Sequence, residues 1–212
     1  DAGATALGKA LQVNTSLTEL HLGGNLIGPE GAVHLAGALE TNETLRTLNL
    51  RSNAILDVGA VAVARMCKRN DTLTELYLGS NGIAEEGCAA IADSWRTNKR
   101  LQKVDLQGAI AGRTGALAIA EALKVNRTLR QLVVEIESGN REGASAVANA
   151  LRSNTTITEL ALGETGAFDE GILAAVNGTL RVNKFITTIG NGNGGGNAPT
   201  GDHSNGASPS QP

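Results

Sequence analysis

Leu17 returns as Leu45, Leu73, Leu101, Leu129 and Ile157, each step being 28 residues. Around every anchor the same LxxLxL spacing recurs: Leu17, Leu20, Leu22; Leu45, Leu48, Leu50; Leu73, Leu76, Leu78; Leu101, Val104, Leu106; Leu129, Leu132, Val134; Ile157, Leu160, Leu162. A second series, Gly3, Gly31, Gly59, Gly87, Gly115, Gly143 and Gly171, keeps the same step. Each glycine precedes an apolar stripe such as Ala32, Leu35, Ala36 and Leu39, whose spacing marks one face of a helix. The alternation in "LTELHL" has period two and predicts a short strand. Each unit therefore reads as strand, turn, helix.

Neither half of such a unit buries its apolar face alone. Stacked units place strand on strand and helix beside helix, so the predicted product is an α/β solenoid of about six to seven repeats, with a concave parallel β-sheet and convex α-helices. Composition agrees: 41% of residues are hydrophobic but only 2% aromatic, which suits many thin aliphatic layers. Ala36, Ala64, Ala92, Ala120 and Ala148 let the helices lie close to the sheet.

These residues resemble the leucine-rich repeats, specifically the 28-residue, ribonuclease-inhibitor-like class found in NOD-like receptors and Ran GTPase-activating proteins. The resemblance covers about residues 3 to 190. It implies a horseshoe that presents its concave face to another protein. The expected organisation is a repeat domain over 1–190, entered within a repeat helix as in a fragment of a longer chain, and a disordered Gly/Asn/Ser/Pro-rich tail over 191–212. The final unit has one extra residue, since Asn183, Ile186 and Ile189 follow Asn154, Ile157 and Leu160 by 29.

Two asparagine series accompany the leucines. Eight residues after the anchor stand Asn25, Asn53 and Asn81, suited to bonding the turn that leaves the strand; Ala109, Glu137 and Thr165 replace them later. The turn residue Ile27, Ile55, Ile83 likewise becomes Ala111, Gly139 and Ala167, so looser turns are expected in the C-terminal half. Three residues before the anchor stand Asn14, Asn42, Asn70, Asn98, Asn126 and Asn154. Five of these, with Asn177, spell the acceptor triplet for N-linked sugar. Asn98 in "NKRL" keeps the asparagine without the triplet, so the repeat requires the asparagine itself, as a helix-ending residue able to take left-handed backbone geometry. The triplets are then a by-product of the repeat, and a cytoplasmic location is expected.

Catalytic and metal motifs are not assembled. "GATALGK" from Gly3 nearly matches a phosphate-binding loop, but Ala10 replaces the hydroxyl and the register places it in a helix. His21, His34 and His203 fall on a strand, a helix and the tail. Cys67 and Cys88 sit on neighbouring helices on the order of 14 Å apart, beyond disulfide reach, and are expected reduced. Cys67 and then Trp95 take the core slot held elsewhere by Leu39 and Leu123. No cofactor and no enzymatic activity are expected.

Alternation makes the positions two, four and six after each anchor face the concave side. The columns read Glu19, Thr47, Glu75, Lys103, Gln131, Glu159; His21, Asn49, Tyr77, Asp105, Val133, Ala161; and Gly23, Arg51, Gly79, Gln107, Glu135, Gly163. Five acidic and two basic side chains give this face a net charge near −3, so a basic protein segment is the natural guest. The candidate protein-binding residues are Glu19, His21, Asn49, Arg51, Glu75, Tyr77, Lys103, Asp105, Glu135 and Glu159, with Tyr77 and Arg51 as anchors. The chain's own net charge of −3 gives no reason to expect nucleic acid or an anionic membrane, and no apolar run is long enough to span a bilayer. The resemblance thus implies a non-catalytic interaction scaffold of the NOD-like-receptor or regulatory type. A GTPase-activating protein similar to the Ran regulator is the alternative, though its acidic segment after the repeats is replaced here by a neutral, Gly-rich one.

Overall fold

The computed structural model describes residues 1–163 together with 171, 172, 174, 176 and 178. Within them the chain alternates helix and strand without exception: α1 Ala2–Leu11, β1 Glu19–His21, α2 Pro29–Leu39, β2 Thr47–Asn49, α3 Leu56–Arg69, β3 Glu75–Tyr77, α4 Glu85–Trp95, β4 Lys103–Ala111, α5 Arg113–Val125, β5 Gln131–Ile136, α6 Arg141–Leu151 and β6 Glu159–Ala161. The strands form one parallel sheet in chain order. Its register reproduces the 28-residue step: Glu19, Thr47, Glu75, Lys103, Gln131 and Glu159 are successive partners. The predicted repeat solenoid is thus the observed fold. The final unit with its extra residue, Thr165, Ala167, Asn177, His203 and the segment from 191 lie outside the described residues.

The core is the aliphatic strip between sheet and helices. Leu45, Leu48, Leu50, Leu73, Leu76, Leu78, Leu101, Val104, Leu106, Leu129, Leu132 and Val134 are all buried, as are Ala36, Ala64, Ala92, Ala120 and Ala148 on the helices. The first unit differs. Leu17, a core position by pattern, is 38% exposed just before β1, the strand at one edge of the sheet. The glycine column sets the distance between helices: a Cβ at Gly143 would lie 2.5 Å from the Ala116 Cβ, and one at Gly59 2.9 Å from the Ala32 Cβ. Only hydrogen at those positions permits the close approach.

The asparagines before the anchors end the helices in a different way from that expected. Asn70 and Asn126 have φ of −77° and −69° with extended ψ, so neither is left-handed. Their side chains supply the reason for their recurrence. The Asn70 amide donates to Leu39 O (2.7 Å) and Asn42 O (3.0 Å) of the preceding repeat, and its Oδ1 accepts Thr72 N and Leu73 N. Asn42, Asn98, Asn126 and Asn154 repeat the arrangement, each donating to carbonyls 31 and 28 residues back. The result is a buried ladder of amides that closes every helix-to-strand loop onto the previous one.

The second asparagine series behaves as predicted: the Asn53 amide donates to Leu22 O and Leu50 O, and that of Asn81 to Leu50 O and Leu78 O. Where it stops, the expected looser turns are replaced by more strand. β4 runs nine residues and regains pairing with β5 at Ile110 and Ala111 after a break in register. Small Ala109 and Ala111 are buried there, and backbone ladder bonds take over the work of the missing amide.

Candidate functional site

The sheet face turned away from the helices carries the predicted columns, and it is a paired surface rather than a row of free side chains. At its centre the Tyr77 hydroxyl donates to Glu75 Oε2 at 2.7 Å, while Lys103 Nζ stands 5.2 Å from the centre of the Tyr77 ring, within cation–π range. Parallel pairing places Glu75 beside Lys103 and Tyr77 beside Asp105 on adjacent strands. Partial burial, then the bond to Glu75, pushes the Tyr77 hydroxyl above its ordinary pKa. The Tyr77 hydroxyl in turn raises Lys103. At neutral pH the phenol therefore stays neutral and Lys103 stays charged.

Arg51 makes the second cluster. Its Nη1 donates to Asp105 Oδ2 at 2.9 Å and its Nη2 to Gln107 Oε1, two repeats away across β3. The path is open because Gly79 stands between them. Asp105 is only 7% exposed, since Arg51 covers it and its Oδ1 accepts Gln107 N. Asn49, in the same column, accepts Arg51 N and shapes the backbone where β2 ends.

The remaining predicted residues are more dispersed. Glu19 and His21 lie on edge strand β1, exposed, with His21 Nε2 3.4 Å from Glu19 Oε2. Glu135 turns along the sheet and accepts Gly108 N at 2.9 Å, closing the break in β4. Glu159 is exposed on β6, near enough to Lys103 to favour its charged form. Glu75, Tyr77, Arg51, Lys103, Asp105 and Glu159 therefore come together, with Asn49 beside Tyr77 and bonded to Arg51 N, whereas Glu19 and His21 do not join them.

Between the two clusters and β6 is an open hollow of about 450 Å³, lined by Arg51, Tyr77, Lys103, Gln131, Val133 and Ala161 among others. Val133 and Ala161 give it an apolar floor. They belong to the concave-facing columns but were not among the ten candidates, because those candidates are polar or aromatic side chains and the hollow that gives these two a role is visible only in the stacked sheet. Among the described residues no group of three or more His, Cys, Asp or Glu could hold a metal ion. Cys67 and Cys88 are free and buried, and burial pushes both thiols up to about 12, so neither is a ready nucleophile. No helix among the described residues is long and apolar enough to cross a membrane.

A family model described as "Leucine Rich repeat" matches residues 13–36, 41–64 and 69–92. Those residues are leucine-rich repeats, and the same 28-residue step of paired strands continues through β6. No curated protein matches it significantly. Among solved structures, one titled "Leiomodin-1 Actin-Binding Site 2" is 25% identical with a TM-score of 0.57, covering 85% of this chain and 87% of that one. The tropomodulin C-terminal domain of Caenorhabditis elegans is 15% identical with the same TM-score, covering 85% and 92%, a likeness of fold.

Proposed function

We propose that this array is a non-catalytic, cytoplasmic protein-binding scaffold that receives a basic segment with an apolar side chain in the hollow beside Tyr77. It would serve as the recognition part of a larger receptor or regulatory protein. The observation that carries this reading is the hollow itself: an apolar floor of Val133 and Ala161 with Tyr77 at its wall and Glu159 at its edge, while Glu75 accepts the Tyr77 hydroxyl beside it. Aromatic anchors beside a desolvated pocket contribute most of the binding energy at protein interfaces. Carboxylates around the rim select the charge of the guest and steer its approach. The actin-binding title of the leiomodin-1 structure supports the general reading that this fold presents surfaces to proteins, and makes actin one partner to assay.

Selection of a random peptide library on the immobilised chain tests the proposal. Enriched peptides should pair Lys or Arg with an aliphatic or aromatic residue, and Tyr77→Ala with Glu159→Lys should abolish the enrichment. Peptides that bind both variants as well as the native chain would show that the hollow is not the site. Monomeric actin is run as a separate arm with the same variants.

A further inference from the structure

We infer that the loops joining helix to strand form a second docking surface, which accepts an acidic segment of a partner protein. This surface lies along the edge of the sheet where the strands begin and is independent of the hollow proposed above. A groove of about 500 Å³ runs along it, lined by Glu43, Asp71 and Thr72 at one end and by Lys99, Arg100, Arg127 and Arg130 at the other, with Arg46 also on its wall. Five cations and two carboxylates give it a net charge near +3, on a chain whose total is −3.

The groove cations have no carboxylate partner among the described residues, whereas most of those on or beside the helices do. On the helices Arg65, Lys68, Arg69, Arg113 and Lys124, and just past the end of α4 Arg96, each face a carboxylate within 4.0 Å. Among the described residues none of Arg46, Lys99, Arg100, Arg127 and Arg130 has such a partner, and all five are exposed. Their backbones are nevertheless fixed. The N–H groups of Arg100 and Thr128 bond to the Asn98 and Asn126 amides, and those of Gln102 and Arg130 to the carbonyls of Thr74 and Gln102. Arg127 Nη1 donates to Asn126 O at 2.9 Å, which holds that side chain against its own loop. A fixed backbone carrying guanidinium groups with no carboxylate partner is preorganised for carboxylates, which arginine can grip with two parallel bonds.

Geometry favours an extended chain over a small anion. Arg46 and Arg130 occupy the same column three strands apart, which at roughly 4.8 Å per strand is about 14 Å. A single phosphate does not span that row, whereas four extended residues do. The groove has no aromatic lining residue on which a base could stack. Glu43 and Asp71 at one end set a direction, repelling an acidic residue there and admitting a neutral or basic one.

The test uses the full 212-residue chain and a fluorescein-labelled peptide of alternating Glu, Asp and Gly, read by fluorescence anisotropy. Binding should weaken at least tenfold in Arg100→Glu with Arg130→Glu, and equally in Lys99→Glu with Arg127→Glu, while Tyr77→Ala leaves it unchanged. Raising sodium chloride from about 50 to 300 mM should also weaken it. A matched Gln/Asn/Gly peptide should not bind. Equal binding to both charge-reversed variants, or to the neutral peptide, overturns the inference. Inorganic tripolyphosphate binding at concentrations where the acidic peptide does not would overturn it too, making the rim a small-anion site.

Discussion

Replacing Asn70 by alanine removes two donors and a doubly used acceptor at once. Leu39 O, Asn42 O, Thr72 N and Leu73 N would lose their partner in a buried loop. At about 1–3 kcal/mol for leaving a buried polar group unsatisfied, the substitution should cost about 3 kcal/mol in chemical denaturation. Asn14 is the internal control. Its Oδ1 accepts Ser16 N and Leu17 N, but no hydrogen bond from its amide nitrogen to an earlier repeat exists among the described residues. Asn14→Ala should therefore cost about 1 kcal/mol. Thr72→Ala, which destroys the sugar-acceptor triplet but leaves the Asn70 amide in place, should change stability by less than about 0.5 kcal/mol. Equal losses in all three variants would remove the ladder from the account. The ladder also bears on modification: an amide donating to two buried carbonyls cannot carry a glycan while its loop remains closed.

Packing between helices gives a second pair of contrasting substitutions at the scale of the element. Gly143→Ala pushes a methyl against the Ala116 Cβ and the Asn140 amide, with contacts at 2.5 and 2.8 Å. The helices α5 and α6 must separate to admit it, and a loss of about 1–3 kcal/mol is expected. The corresponding Gly3→Ala on α1 meets nothing within 4 Å and should be neutral or stabilising by up to about 1 kcal/mol, since alanine favours helix. Thermal melts of the two variants decide this directly. That contrast also separates what was readable from the chain and what was not. Period and alternation located the strands and core, because they depend only on which residues are apolar and how far apart they lie. Tyr77, Lys103 and Asp105 were placed on the correct face for the same reason. The reach of Arg51 across two repeats was not legible, since it depends on Gly79 leaving space and on a rotamer that no spacing encodes. The rim was missed because its cations, at Arg46, Lys99, Arg100, Arg127 and Arg130, sit in three different columns and converge only when the loops stack. Nor did the loss of the second asparagine series predict a longer β4, because an absent side chain does not say what the backbone will do instead.

An array of stacked repeats is held together through its nearest-neighbour contacts, so whatever ties one unit to the next affects the whole molecule. Carboxylates at the start of one helix tie it to the start of the following one. Asp1 Oδ1 accepts Gly28 N, Asp57 Oδ1 accepts Ala84 N and Gly87 N, and Glu85 Oε1 accepts Thr114 N at 2.6 Å. Thr114, through its side chain and then its backbone, holds the Glu85 carboxyl below the usual carboxylate range. Because the folded pKa is the lower one, this contribution to stability is complete above the unfolded value of about 4 and fades as pH falls through the folded value. Glu85→Ala should melt earlier than the native chain at pH 7, and the two curves should converge under more acid conditions. A difference that persists unchanged at pH 2 would mean that the charge plays no part. Trp95, the single tryptophan and fully buried in the fourth helix, reports these transitions by fluorescence.

The reach of Arg51 to Asp105 and Gln107 has a mechanical meaning as well. It is a tie rod laid across the inside of a bent spring, joining β2 to β4 over β3. Flattening the sheet there lengthens the tie, while bending it further slackens it, so the tie resists opening in one direction only. A guest that takes Asp105 for itself would release that tie, and the arc would relax at the place where the guest is seated.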